Sequence, residues 1–287
     1  MKLMLLTGNV GFAKKAENCG VDRIFIDLEY INKAERQKGR NTYLTCNTVE
    51  DVAPMRKALE KAELLVRVNP INPLSKAEID AVCNAGADII MLPMVFDAED
   101  VKTFVSLVDG RAKCVPMIET TQAMTRIDDI LSVEGVDELY IGLNDLHIGL
   151  GLSFMFEVLS GGLLDYMAEK IKAKGIPFGF GGMGKIGEGM LPADAILAEH
   201  FRLGSNSVIL SRTFRNEVDA EGKPQLDLEK EIAKIREKEK EYSAWSNSDF
   251  DNNKKFVKET VKKIVAGVLY EKSYDRKCSC VEQKKRF

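Results

Sequence analysis

The chain has 287 residues, of which 45% are hydrophobic and 30% are charged, and its formal net charge is -3. A hydrophobic fraction of this size can build a large core, which excludes a disordered or fibrous chain. The mildly acidic balance disfavours nucleic-acid binding, which needs a concentrated basic surface. No apolar run reaches the ~18 residues of a membrane helix, and the first residues lack a signal-peptide cleavage region. We therefore expect a cytoplasmic globular protein, binding neither nucleic acid nor membrane; its scattered cysteines suit that reducing compartment.

Eight short apolar runs alternate with helical patterns along residues 1–226. The runs are bounded by Gly, Pro, Asn or Asp and are nearly continuous in apolar residues, as is typical of parallel strands covered on both faces. Eight such repeats predict a (β/α)8 TIM barrel. A doubly wound sheet is disfavoured because GNVGFA, after the first run, is not a phosphate-binding fingerprint. The predicted strands are KLMLLTG from Lys2, RIFIDLE from Arg23, LLVRVNP from Leu64, DIIMLPM from Asp88, CVPMIET from Cys114, ELYIGLN from Glu138, PFGFGGMG from Pro177 and SVILSRTF from Ser207.

The composition changes at about Asp227, where charged helical patterns begin. We expect residues 227–287 to form a helix that closes the barrel and a second helix that forms a C-terminal tail. The second helix carries an apolar stripe, which includes Phe256, Val257 and Val261 and should dock on its own barrel or on a neighbouring subunit. This predicts a homo-oligomer, with a trimer or hexamer as the expected form.

Polar side chains at the ends of the predicted strands are the candidates for chemistry, because catalysis in such barrels occurs at the C-terminal ends of the strands. Glu119 follows the fifth strand and Asp145 follows the sixth. Neighbouring parallel strands lie ~4.7–4.9 Å apart, so the two carboxylates can reach one cation. Oxygen ligands suit Mg²⁺ or a similar hard ion. The alternative is that each carboxylate caps the helix that follows it.

Arg67 lies inside an apolar strand, where a guanidinium is costly to bury without an anion. Its partner is either Asp27 or Glu29 on the neighbouring strand, in a structural ion pair, or the carboxylate or enolate of a substrate. The two arrangements are compatible if a carboxylate orients the arginine.

His147 is a candidate base, since it follows Asp145 by two residues and would point the same way in an extended segment. The alternative is a loop histidine bonded to the backbone.

The loop predicted after the seventh strand is the glycine-rich segment GFGGMGKIGEG, and Ser211-Arg212 ends the eighth strand. In barrels the loops after these strands often bind phosphate through backbone N–H groups. Gly182, Lys185 and Arg212 therefore predict a site for a phosphate, pyrophosphate or coenzyme A group. The alternative is a flexible lid with a solvated lysine. Further cations, which can contribute or remain solvated, lie in the loop 31–48: Arg36, Lys38 and Arg40.

Five motifs in chain order, FIDLE, VRVNP, MLPM, MIETTQAM and GLNDLHIGLG, resemble the HpcH/HpaI aldolase and citrate lyase β-subunit family. The resemblance runs from about Met1 to Phe214 and implies a barrel of the phosphoenolpyruvate/pyruvate-binding type. It implies that Glu119 and Asp145 hold a divalent metal, Mg²⁺ or Mn²⁺, and that Arg67 contacts the oxo acid. It also implies that backbone amides from Gly142 to Asp145, including that of Asn144, hold a pyruvate-type carboxylate.

Two departures from the aldolase branch bear on the reaction. That branch has a D-x-E-H motif whose histidine is the general base, whereas this chain has Tyr30, and an unperturbed tyrosine has a pKa of ~10. The aldolases also tend to carry glutamine two residues before the metal glutamate, where this chain has Met117. The D-L-E motif with an apolar residue at that position is closer to the citrate lyase branch.

The leading hypothesis is a metal-dependent carbon–carbon lyase or aldolase that acts on a pyruvate-like 2-oxo acid through an enolate. Arg67 would neutralise the developing charge, and the base would be His147 or a metal-bound water positioned by Asp27 and Tyr30. Glu29 is a further catalytic candidate. The second hypothesis is an acyl-CoA lyase of the citrate lyase β type. The third is a non-catalytic barrel used for binding or assembly, which the buried charges disfavour.

Overall fold

The computed structural model describes residues 1–33, 46–215 and 226–284, with side chains as far as residue 268. Arg36, Lys38 and Arg40 lie outside the described residues. The predicted (β/α)8 barrel is confirmed, because eight parallel strands form one closed sheet in which β8 pairs with β1. The strands are β1 Lys2–Leu6, β2 Arg23–Asp27, β3 Glu63–Arg67, β4 Ile89–Leu92, β5 Lys113–Ile118, β6 Leu139–Ile141, β7 Phe178–Met183 and β8 Ser207–Leu210.

The strands separate two apolar layers, because successive residues of a strand point to opposite faces. On β2, Phe25 faces the inside of the barrel, while Ile24 and Ile26 face the surrounding helices. The inside is therefore a packed core rather than a pore. Its buried residues are Met4, Phe25, Leu65, Ile89, Met91, Val115, Met117 and Tyr140.

The seventh strand is irregular, and Gly179 makes room for the Tyr140 ring. A Cβ atom on Gly179 would lie 2.1 Å from Ser207 Oγ and 2.7 Å from the ring of Tyr140. The Tyr140 hydroxyl donates a hydrogen bond to the Gly181 carbonyl and accepts one from the Ile209 amide. The first part of the predicted glycine-rich loop is therefore strand, because β7 continues to Met183.

Helices cover the outside of the barrel between the strands. None of the helices in the described ranges is long and apolar enough to cross a membrane. A 3-10 turn at Val49–Asp51 precedes α2, and another follows β8 at Arg212–Phe214. The helices are α1 Val10–Asn18, α2 Val52–Ala58, α3 Ser75–Asn84, α4 Ala98–Val108, α5 Thr121–Thr125, α6 Ile127–Ile130, α7 Leu143–Gly149, α8 Glu157–Ser160, α9 Leu163–Ala173 and α10 Ala193–Leu203.

Two further helices, α11 Leu228–Ser243 and α12 Asn247–Lys284, follow the barrel. Arg236 on α11 donates hydrogen bonds to the Met1 carbonyl and the Asp22 carboxylate, so this helix packs at the N-terminal ends of the strands.

The beginning of α12 docks on its own barrel, which is one of the two arrangements expected. It packs against α10, and it buries Val257 and Val261. Phe256 is 47% exposed, so the buried stripe is narrower than the sequence pattern predicts.

Candidate active site

Asp27 and Arg67 form a buried ion pair at the C-terminal ends of β2 and β3. The two residues are direct partners in the ladder between these strands. Arg67 Nε lies 2.9 Å from Asp27 Oδ1, and Arg67 Nη2 lies 2.8 Å from Asp27 Oδ2. This two-bond geometry fixes the plane of the guanidinium. Of the partners considered for Arg67, Asp27 is therefore the one that orients it.

Together, the neighbouring charges affect the pKa values of Asp27 and Arg67 more strongly than burial does. Burial alone would raise the pKa of Asp27, but the charges and hydrogen bonds of Arg67 and Lys33 outweigh burial and lower it to about 2. Burial alone would likewise lower the pKa of Arg67, but Asp27 and Glu29 raise it above its ordinary value. Both groups are therefore charged at neutral pH.

Lys33 is a member of this site that sequence reasoning missed. Its ammonium group donates a hydrogen bond to Asp27 Oδ2 and lies 3.4 Å from Glu29 Oε2. Arg67 Nη2 lies at the same distance, 3.4 Å, from Glu29 Oε2. Only 3% of Lys33 is exposed. A lysine in a long polar loop is normally solvated. The feature of the sequence that could have indicated an ion pair is the position of Lys33 four residues after Glu29.

The backbone that carries Lys33 is held by Asn69. The Asn69 side-chain oxygen accepts hydrogen bonds from the backbone N–H groups of Tyr30 and Ile31, each at 3.0 Å. The ring of Tyr30 is 70% exposed, so its side chain lies in solvent rather than in the buried cluster with Asp27. The expectation that Tyr30 helps to position a water with Asp27 gains no support from this geometry.

Glu119 approaches the same region from β5 and is buried. Its Oε1 atom accepts a hydrogen bond of 2.9 Å from the Met94 backbone N–H. A Cβ atom on Gly142 would lie 2.4 Å from Glu119 Oε2. Glycine at the end of β6 therefore allows the carboxylate to lie directly over the neighbouring backbone.

Among the residues that the structure describes at the barrel mouth, the carboxylates outnumber the cations. Burial, the charge of Asp145 and the charge of Glu29 together raise the pKa of Glu119 to about 8, although Arg67 and the hydrogen bond from Met94 act to lower it. We define the mouth cluster as Asp27, Glu29, Lys33, Arg67, Glu119 and Asp145. With every member ionised, this cluster has two more carboxylates than cations.

The donors present fit a divalent cation that is only partly enclosed by protein. Glu119 and Asp145 provide carboxylate oxygens, and the two groups are near enough for the charge of Asp145 to raise the pKa of Glu119. Mg²⁺ usually binds through one or two carboxylates and takes water or substrate as its other ligands. Within the described part of the chain, no group of three or more His, Cys, Asp or Glu side chains could hold a metal ion. An open two-carboxylate site is consistent with both observations.

The segment around Asp145 and His147 is helical rather than extended, which corrects the prediction made for these residues. Helix α7 begins just after Gly142, and its first turn contains Asn144 and Asp145. Two residues separated by two positions on a helix point in different directions. The His147 ring is buried, and its Nδ1 atom lies 3.2 Å from the Leu143 carbonyl oxygen. A role for His147 as base stays a prediction.

The predicted anion site near β7 and β8 also stays a prediction. Lys185 Nζ lies 2.8 Å from Glu188 Oε1, so this lysine forms an ion pair within its own loop. Gly182 belongs to β7, and Arg212 is an exposed residue of the 3-10 turn after β8.

Comparison with known proteins identifies the family of this barrel. The family model described as HpcH/HpaI aldolase/citrate lyase matches residues 3–159. That match covers more than half of the chain, and the chain therefore belongs to this family, as its motifs predicted.

Two relatives of known name show where the similarity lies. The citrate lyase subunit beta of Leuconostoc mesenteroides subsp. cremoris is 32% identical over 155 residues, which are 53% of this chain and 49% of the relative. A hydroxypyruvate/pyruvate aldolase of Rhizorhabdus wittichii is 33% identical over 129 residues, which are 35% of this chain and 50% of the relative. The chain thus spans about half the length of either relative.

Solved structures share the fold at low sequence identity. A HpcH/HpaI aldolase/citrate lyase family protein from Burkholderia cenocepacia has a TM-score of 0.58 at 17% identity, over 85% of this chain and 95% of that one. The citrate synthase SbnG has a TM-score of 0.58 at 19% identity, over 83% and 94% of the two chains. These similarities show the common fold.

Proposed function

We propose that this protein is a divalent-metal-dependent carbon–carbon lyase of the aldolase type, acting on a pyruvate-like 2-oxo acid through an enolate. The observation that carries the proposal is the mouth cluster, in which the described carboxylates outnumber the cations and Asp27 orients the Arg67 guanidinium close enough to Glu119 to act on its pKa. Glu119 and Asp145 would hold Mg²⁺ or Mn²⁺. A cation bound there supplies polarisation of the oxo group and stabilisation of the enolate charge.

The residues of the chain have distinct tasks in this proposal. Arg67 uses Nε and Nη2 to contact Asp27, and its Nη1 atom points toward Met117 Sδ, 3.8 Å away on β5. This edge of the guanidinium is suited to an anionic oxygen of the substrate. The first turn of α7, including Asn144, offers backbone N–H groups that lack intrahelical acceptors and would receive the substrate carboxylate. Proton transfer would fall to His147 or to a water molecule beside the cluster.

The family relationship supports a reaction of this class, because one named relative is a subunit of a lyase and the other is an aldolase. A cytoplasmic location remains our expectation from the scattered cysteines, and Cys19, Cys46, Cys83 and Cys114 are free thiols. Homo-oligomer formation through the C-terminal tail helix, as a trimer or hexamer, also remains an expectation.

Exchange of the methyl protons of pyruvate for deuterium tests the proposal directly, because exchange reports enolate formation without a second substrate. The purified protein is incubated with pyruvate and Mg²⁺ in D₂O, and the methyl signal is followed by ¹H NMR. We expect the signal to decline with Mg²⁺ and to stay constant with EDTA or in the Asp145→Asn variant. Exchange that continues in EDTA would contradict the metal dependence. No exchange by the wild type would contradict the pyruvate-like substrate.

The second candidate is an acyl-CoA lyase, which the similarity to citrate lyase subunit beta and the presence of Met117 favour. In that case a coenzyme A thioester would bind at the mouth cluster, with Mg²⁺ held as before. Thermal unfolding with Mg²⁺ and either acetyl-CoA, pyruvate or oxalate separates the candidates. Protection by acetyl-CoA alone favours the acyl-CoA lyase, and protection by pyruvate or oxalate alone favours the aldolase.

A further inference from the structure

Lys33 is buried next to two carboxylates, and its positive charge, rather than its packing, explains why a lysine occupies this position. Its side chain is almost fully enclosed, and its ammonium group contacts Asp27 and approaches Glu29. Transfer of an ammonium group out of water is unfavourable, and a packed apolar side chain of similar size is often as stable or more stable. Packing alone therefore does not account for a lysine here.

Hydrogen bonds in the turn after β2 direct the Lys33 side chain back toward the end of the barrel. Asn69 Nδ2 donates hydrogen bonds to the Leu28 carbonyl, at 3.3 Å, and to the Glu78 carboxylate, at 2.8 Å. The Asn69 side-chain oxygen accepts hydrogen bonds from the backbone N–H groups of Tyr30 and Ile31. Asn32 has a φ of 57°, which is uncommon for a residue other than glycine. The backbone N–H of Lys33 then closes the turn on the Tyr30 carbonyl at 3.2 Å. These interactions determine where the lysine side chain begins.

The position of the ammonium group bears directly on Arg67. Arg67 Nη2 lies 2.8 Å from the carboxylate of Asp27 and 3.4 Å from that of Glu29. Among the residues that the structure describes, Lys33 and Arg67 are the cations that contact these carboxylates. Loss of the Lys33 charge would strengthen the pull of Glu29 on the guanidinium, and rotation toward Glu29 would weaken the two bonds to Asp27. The Nη1 edge would then turn away from Met117, which precedes Glu119 by two residues and so shares its side of the chain.

We propose that Lys33 is a positioning residue of the active site, whose ammonium group neutralises the second carboxylate of the Asp27 and Glu29 pair and so keeps the Arg67 guanidinium directed at the substrate. Lys33 acts through Asp27 and Arg67 and does not itself touch the substrate. The inference rests on the proposed function only for the identity of the anion that meets Arg67.

The orientation of Arg67 can be measured without any substrate or metal. In ¹⁵N-labelled protein, the Arg67 Nε–H signal is assigned by its loss in Arg67→Lys, and its hydrogen exchange rate is measured. We expect Lys33→Met, which keeps a long side chain without the charge, to accelerate this exchange at least ~10-fold. Lys33→Arg, which keeps the charge, should retain most of the protection. Lys170→Met, which removes an exposed ion pair with Asp128, is the matched control and should leave Arg67 unaffected.

Pyruvate deuteration with Mg²⁺ provides the second readout on the same variants. Loss of a group that orients a contacting residue typically lowers activity by about 10- to 100-fold. We expect a decrease of this size in kcat for Lys33→Met and recovery in Lys33→Arg, with thermal unfolding confirming that each variant is folded. If Lys33→Met does not fold, Lys33→Gln takes its place, because it keeps a hydrogen-bond donor without the charge.

The possible results separate this inference from the proposed function. Unchanged Arg67 exchange in folded Lys33→Met or Lys33→Gln would overturn the positioning role. Equal impairment of folded Lys33→Arg and Lys33→Met would also overturn it, since the shape rather than the charge would then matter. If the wild type fails to deuterate pyruvate, the proposed substrate class is wrong, and the exchange rate of Arg67 Nε–H still decides the role of Lys33.

Discussion

The barrel buries ionised side chains at both of its ends, and the two groups differ in how their charges balance. The mouth cluster lies at the C-terminal ends of the strands. The N-terminal cluster, which we define as Arg23, Glu63, Lys113, Glu138 and Ser207, lies at the opposite ends. Both contain an arginine held by two hydrogen bonds to one carboxylate, Arg67 with Asp27 and Arg23 with Glu138.

In the N-terminal cluster the charges cancel. Arg23 donates to both oxygens of Glu138, at 3.0 and 2.9 Å, and its Nε atom donates to Glu63 at 2.9 Å. Lys113 pairs with Glu63, and the Ser207 hydroxyl donates to Glu138 at 2.7 Å. Two cations therefore meet two carboxylates. A satisfied cluster at this end of a barrel has a structural role.

The comparison shows that buried charge by itself does not mark a functional site. The mouth cluster differs because its carboxylates outnumber its cations, which leaves Glu119 with a pKa raised to about 8 by burial and by Asp145. Such an imbalance is unfavourable for the protein alone and is relieved by a bound cation. Matched substitutions at each end can show whether the imbalance, rather than the burial, distinguishes the two clusters.

Replacing Glu119 by glutamine should have the largest effect on activity. Glu119→Gln removes one of the two proposed metal ligands, and we expect Mg²⁺-dependent pyruvate deuteration to fall on the order of 10³-fold, since a metal supplies several kcal/mol of charge stabilisation. The metal-free variant should be more stable than the metal-free wild type, because a neutral amide replaces a buried carboxylate beside Asp145. Proton exchange by NMR and thermal unfolding in EDTA measure the two effects. A variant that is less stable than wild type in EDTA would argue against charge imbalance at this end.

The corresponding change in the N-terminal cluster should affect stability instead. Arg23→Met leaves Glu138 and Glu63 without their shared guanidinium, and breaking a buried pair in this way costs about 3–5 kcal/mol of unfolding free energy. Urea unfolding measures this loss, and pyruvate deuteration per folded molecule should stay within about twofold of wild type. Lys102→Met is the control, because its pair with Glu99 is exposed and should contribute little. A large loss of specific activity in folded Arg23→Met would remove the distinction between the two clusters.

The sequence predicts the barrel and much of the mouth cluster, because both depend on local patterns. Each strand is a short apolar run, and Arg67 stands out as a charge inside one of them. The position of Glu119 after β5 follows from the same strand assignment. Asp27 was one of the expected partners of Arg67, and the ladder between β2 and β3 places them side by side.

Lys33 and His147 were harder to place because their surroundings depend on non-local contacts or on weak local signals. The turn that buries Lys33 is held by Asn69, which belongs to the loop after the next strand. Helix α7 has no side-chain cap at Gly142 and follows a strand of only three residues, so nothing in the sequence marked its beginning. An extended segment was therefore predicted for His147 where a helix forms.

The mouth cluster should also give the protein a specific sensitivity to acid. The pKa of Asp27 is lowered from its ordinary value of 3.8 to about 2 by Arg67 and Lys33, in spite of burial. A lowered pKa contributes stability that is fully present above about pH 4 and is lost as the pH falls toward 2, in total about 2 kcal/mol. Urea unfolding of wild type and Asp27→Asn between pH 6 and pH 2 should show this loss in the wild type only. Parallel curves for the two proteins would contradict the assignment.

The smallest predicted effect concerns the space beside Glu119. A Cβ atom at position 142 would lie 2.4 Å from Glu119 Oε2, and the φ of Gly142, -83°, is accessible to alanine. That atom would also lie 2.7 Å from Glu119 Cβ, so Gly142→Ala should displace Glu119 together with the end of β5 that carries it. We expect Mg²⁺ affinity to fall about tenfold, or about 1.4 kcal/mol, as measured by calorimetry. Gly184→Ala is the control, since its Cβ atom would meet nothing within 4 Å. Equal Mg²⁺ affinity in both variants would mean that Glu119 does not bind the cation through the oxygen that faces Gly142.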